Sequence, residues 1–212
     1  MMKMRGPLKP VFLAAVLGMC GASAQAESQR RFVSGQIWKN GSHSFSINEY
    51  SLGISLWVNA SGSNLYFSGR PFSGSVWGSG TYMTISGSGV QATVSKWGSN
   101  YSVRGTFHPA AGGQAVRVDF TMHALGREDD PVRPPSYSVY DGASGANLNL
   151  NPSGADGYSI SGWVDTEKFG AHGTSLVALV ASASLEARPE PKAAQEPAKL
   201  PGARLAPLPS PL

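Results

Sequence analysis

The sequence predicts an all-β protein, an antiparallel meander forming a single barrel or sandwich of roughly 9–12 strands, followed by a disordered proline-rich tail. Three observations lead there. Apolar and polar residues alternate with period two along most of the chain: Leu52, Ile54, Leu56 and Val58 share one face, and Val116, Val118, Phe120 and Met122 another. Clusters such as "SGS", "GSN", "DGASG" and "PSGADG" interrupt that alternation at strand-length intervals. Helical periodicity is nearly absent.

Residues 1–26 read as a secretory signal: Lys3, Arg5 and Lys9 precede the apolar run "VFLAAVLGM", and "AQA" at 24–26 supplies a small-residue cleavage site. The apolar run is far short of the roughly 20 residues a spanning helix needs. Cys20 is preceded by Met19 rather than a small residue, so it is expected to leave with the signal rather than carry lipid. The mature chain then has no cysteine, and neither disulfides nor thiolate metal sites are available to it. Its stability rests on a hydrophobic core.

Residues 27–185 form the expected all-β domain. "QATVSKW", "YSVRGTFH" and "QAVRVDFTMHA" read as three strands of a meander, and "GISLWVNA" with "NLYFSGRPF" as an earlier pair. A four-residue loop at 110–113 sets the register of one hairpin, placing Arg104 opposite Asp119 and Val103 opposite Phe120. A slip of two would put Arg104 against Arg117, a like-charge pair that costs energy. "GANLNLN" and "YSISGWVD" open a second meander, and "TSLVALVASASLEA" is expected as its third strand, buried on both faces, in preference to a short helix.

Two segments match: Tyr101 with Gly105 in "YSVRGTF", and Tyr158 with Gly162 in "YSISGWV". In both, tyrosine and glycine fall on the inward row. A glycine there relieves crowding where a strand bends, and a tyrosine beside a turn buries its ring while keeping its hydroxyl near a partner. Both pairs are expected to be scaffold.

From residue 186 onward the composition changes: seven prolines in 27 residues and no aromatic side chain. Such a segment buries too little apolar surface to offset chain entropy. Removing both ends also neutralises the charge. Three of the seventeen basic residues lie in the leader and four in the tail, as do three of the thirteen acids in the tail, leaving ten of each in 27–185. A nucleic-acid partner, which would call for a basic stripe on the domain, is not expected.

Catalytic patterns are missing. His43, His108, His123 and His172 lack metal-ligand spacing, with His108 and His123 expected near each other at open strand ends. No GxSxG elbow occurs, Asp119 and Asp165 read as surface or paired charges, and "REDDP" at 127–131 reads as a solvated connector. No cofactor or metal is expected.

Tryptophan placement stands out. Trp57 is out of phase with Ile54, Leu56 and Val58, Trp97 with Val90, Ala92 and Val94, and Trp163 with Ile160 and Val164. Trp38 and Trp77 each follow an inward aliphatic residue, Ile37 and Val76. Outward rings suit stacking on sugars or apolar ligands. The expected function is a non-enzymatic, secreted or periplasmic barrel that binds a glycan or a small apolar ligand through this surface or through its interior. The alternative is a structural or assembly component of a bacterial cell surface or appendage, meeting another surface protein and tethered by its tail.

Overall fold

In the computed structural model, which describes residues 29–78, 81–108, 114–126, 130 and 133–188, twelve antiparallel strands close into one barrel. They are β1 (Arg30–Lys39), β2 (Ser44–Glu49), β3 (Ile54–Ser61), β4 (Asn64–Arg70), β5 (Gly74–Trp77) and β6 (Tyr82–Gly87). The second half comprises β7 (Val90–Trp97), β8 (Asn100–Phe107), β9 (Val116–Leu125), β10 (Ser136–Asp141), β11 (Ala146–Pro152) and β12 (Gly157–Asp165). Each strand pairs with its sequence neighbours, and β12 returns to β1. The expected leader, the 110–113 loop, most of "REDDP" and nearly all of the tail lie outside the described residues.

The period-two pattern dictates the wall. Inward positions are apolar and buried, as with Val33 and Ile37 on β1, Leu56 and Val58 on β3, and Leu148 and Leu150 on β11. Outward positions are mostly polar, for example Gln91, Thr93 and Ser95 on β7 and Asn147, Asn149 and Asn151 on β11.

The hairpin register agrees with the loop argument. Arg104 lies opposite Asp119 and Val103 opposite Phe120, and Arg104 Nε stands 3.2 Å from Asp119 Oδ2. Both side chains are exposed, so this ion pair contributes at most about 1 kcal/mol and matters chiefly as a register mark.

One expectation is overturned. The segment from Thr174 is not a strand but part of an α-helix, α1 (Gly170–Glu186), thirteen of whose seventeen residues are buried. It therefore has no polar face to give a helical signature. The sequence pattern was ambiguous because burial on every side erases both periodicities, leaving a plain apolar run. Alanine and leucine, both strong helix formers, then favour the helix.

The helix lies inside the barrel and runs its full height. At the lower end, where Arg30 pairs with Asp165, Phe169 packs edge-on against Phe120 with ring centroids 5.5 Å apart. At the upper end Glu186 Oε1 is 2.8 Å from His43 Nδ1, and its Oε2 is 3.9 Å from Lys39 Nζ. Seventeen residues at about 1.5 Å rise span about 25 Å, the height of a ten-residue strand tilted by about 40°. Burying Leu176, Val177, Leu179, Val180 and Leu185 contributes roughly 1.5–3 kcal/mol each. That total is comparable with the net stability of an ordinary domain. The helix is the core of the barrel, not an appendage. No helix among the described residues is long and apolar enough to cross a membrane.

Candidate functional site

The tyrosine–glycine pairs take their meaning from this helix. Tyr101 and Tyr158 are buried near the upper rim, and both flank Tyr137, each with ring centroids 5.9 Å away. Tyr137 Oη lies 2.9 Å from Ser184 Oγ, fastening the last turn of the helix to the wall. Lower on the same strands, neighbouring backbone occupies the space a side chain would need. A Cβ on Gly105 would stand 2.7 Å from the Gln91 carbonyl oxygen, and one on Gly162 would stand 2.1 Å from the Asn147 carbonyl oxygen. Gly162 also has φ of +149°, a region L side chains rarely adopt. The tyrosines of the paired motifs thus flank the ring that bonds the helix, and their glycines let strands crowd together lower down.

Three acids that the sequence reading did not single out as structural are buried at the lower rim. Glu49 Oε2 accepts the Leu52 N–H at 2.6 Å; Asp141 Oδ1 accepts the Ala143 and Ser144 N–H groups at 2.8 and 3.2 Å. Asp165, expected as a surface or paired charge, instead accepts the Glu167 and Lys168 N–H groups, both at 3.0 Å, and is buried. Each carboxylate holds the turn that follows it. The signal was present in "DGASG" and "DTEK", where an acid opens a turn and can bond backbone two residues on.

The histidines are dispersed. His108 follows the lower end of β8 and His123 lies near the upper end of β9, so they are at opposite ends of their hairpin. His172 stacks between Phe107 at 4.3 Å and Phe72 at 5.5 Å, and burial lowers its pKa below the usual histidine value. Among the described residues no group of three or more His, Cys, Asp or Glu is placed to hold a metal ion.

All five tryptophans point outward and are between 40 % and 53 % exposed. They do not form one surface. Trp38 and Trp57 lie at the same level on β1 and β3, both opposite Ser46 of β2. Trp77 meets Tyr66 edge-on at 5.9 Å, Trp97 meets His123 at 6.2 Å, and Trp163 meets Phe32 at 5.4 Å. The strand order therefore separates Trp57, Trp97 and Trp163, which the sequence had suggested as members of one aromatic face. Three indoles are secured to their own strand: Trp38 Nε1 donates to Gln36 Oε1 at 2.9 Å, Trp57 Nε1 to Asn59 Oδ1 at 3.1 Å, and Trp77 Nε1 to Ser75 Oγ. A bond to the side chain two residues along lays the ring against the wall and leaves its other face to solvent.

Two concavities accompany these rings. A groove of about 380 Å³ on the outer wall is lined by Arg30, Phe32, Asn147, Asn149, Ser161 and Trp163. Inside the upper rim a cavity of about 170 Å³ lies between the end of the helix and the wall, lined by Leu65, Val76, Met83, Tyr101 and Ala183 among others. Phe32, Asn147 and Asn149 did not stand out in the sequence, although Phe32 precedes the inward Val33 and obeys the same out-of-phase rule as the tryptophans.

Comparison with protein-family models, with curated protein sequences and with solved structures finds no match to this chain. What defines it is architecture, a closed twelve-stranded antiparallel barrel filled by its own helix, with half-exposed aromatic side chains spaced around its outer wall.

Proposed function

We propose that the protein is an exported, non-enzymatic glycan-binding module that works through its outer wall. The observation carrying this reading is the set of half-exposed indoles on a surface that also presents many Ser, Thr, Asn and Gln side chains, three of the indoles held along their strand with one face open. Sugar rings present apolar C–H faces edged by hydroxyls. An aromatic face takes the former, and amide or hydroxyl side chains, which both donate and accept, take the latter. Single-ring sites are weak alone, but several around one barrel gain avidity on a repeating polymer. The helix occupies the barrel interior, which turns the reading away from a large central calyx and toward the outside.

The test is co-sedimentation of the mature protein with cellulose, chitin, xylan and purified peptidoglycan sacculi. Retention on at least one, released by its soluble oligosaccharide, is expected. No retention on any of the four sinks the proposal. Cell fractionation should place the protein outside the cytoplasm.

A second ligand class, a small apolar molecule, is supported by the 170 Å³ cavity beside Met83 and Ala183. Saturable binding of a compact aromatic such as indole, abolished by Ala183→Leu, is the corresponding expectation. The alternative of a self-assembling structural component loses its simplest route, because a closed barrel offers no free strand edge for pairing. Assembly would have to proceed through outward side chains.

A further inference from the structure

The five tryptophans are not equivalent. We propose that the groove on β11, β12 and β1 is the primary sugar subsite, taking one pyranose ring with vicinal hydroxyls stacked on Trp163. This rests on the glycan-binding reading above and specifies where and how it operates.

The ladder places the groups. Phe32 lies directly opposite Trp163, and Trp163 opposite Asn147; one step away Ser161 lies opposite Asn149. Trp163, Asn147, Asn149 and Ser161 therefore mark the corners of a rectangle of about 5 by 7 Å, from cross-strand and same-face spacings. That is the footprint of a single sugar ring. Phe32 stands edge-on to the indole at 69°, forming a side wall for a ring lying on Trp163. The glycine between Trp163 and Ser161 adds no bulk.

Unengaged polar groups separate this groove from the other aromatic positions. The indole N–H groups of Trp38, Trp57 and Trp77 are already used by their own strands, whereas the indole N–H of Trp163 bonds no described residue. The amides of Asn147 and Asn149 likewise bond none, so each offers a donor and an acceptor to neighbouring hydroxyls. At one rim the Arg30 guanidinium is fixed by its Nη2 donating to the Gly145 carbonyl at 2.8 Å, which keeps the flank of the groove in place. Trp97 also has an unengaged indole, but its neighbour His123 bonds Thr121, and no row of amides adjoins it.

The experiment is affinity electrophoresis and titration calorimetry with soluble oligosaccharides of glucose, N-acetylglucosamine and xylose. It uses the mature wild type, Trp163→Ala, the double variant Asn147→Ala/Asn149→Ala, and a control carrying Arg117→Ala, an exposed outward residue of β9 away from the groove. The best wild-type ligand should bind about ten-fold or more weakly to both groove variants, and within about two-fold of wild type to the control. The asparagine pair is exposed and supports no packing, so its loss of binding would not reflect misfolding. Wild-type binding with unchanged affinity in both groove variants overturns the subsite while leaving the glycan reading standing. Absence of binding by the wild type to every sugar overturns that reading itself.

Discussion

At Gly162 a single missing side chain decides how closely two strands meet. Its Cβ would stand 2.1 Å from a backbone oxygen that no rotamer change can move aside. Gly162→Ala is therefore expected to cost about 3 kcal/mol or more, read as a lower denaturation midpoint at unchanged slope. His172 adds a sensitivity to acid. Because burial lowers its folded pKa below the unfolded value near 6.5, the folded chain binds fewer protons there than the unfolded one. Stability from this group is complete above about pH 6.5 and is lost as pH falls through the folded value. His172→Phe, which keeps the stack between Phe72 and Phe107, should flatten the fall in Tm between about pH 7 and pH 5 relative to wild type. An unaltered acid slope would place the sensitivity elsewhere.

At the scale of elements, the strands were legible and the helix was not. Val103 and Phe120, or Leu148 and Leu150, announce their faces because one side of each strand meets the core and the other meets water. Residues 174–185 meet core on every side, so neither period survives in their sequence. The same enclosure has an energetic cost. Thr174 Oγ1 and Ser175 Oγ are buried with no hydrogen-bond partner. Removing an unsatisfied buried hydroxyl without changing shape is favourable, so Thr174→Val should raise stability by about 1 kcal/mol, measured by urea titration. A decrease would mean that the hydroxyl does bond in solution. The tryptophans were legible one at a time as outward residues. Which of them are neighbours depends on strand order and on the closure of β12 onto β1, and no local pattern encodes that closure.

For the whole molecule, the decisive feature is a helix that enters at the lower rim beside Asp165 and ends at the upper rim beside Lys39. Residue 29 lies at the lower rim, so the described chain begins at one end of the barrel and leaves at the other. If either terminus holds the protein to a surface while the wall grips a polymer, tension passes along the barrel axis. β1 would then be loaded lengthwise, with its hydrogen bonds to β2 and β12 strained together in shear, and the helix would be drawn out along its own axis. Handles placed instead at Ser63 and Ser99, both on the upper rim, would pull across the strands and open hydrogen bonds one after another. Single-molecule pulling should accordingly show a higher rupture force between the termini than between those two turns, and equal forces would refute the idea. On that account the internal helix is also a mechanical pin, making the fold strongest along the line joining its own two ends.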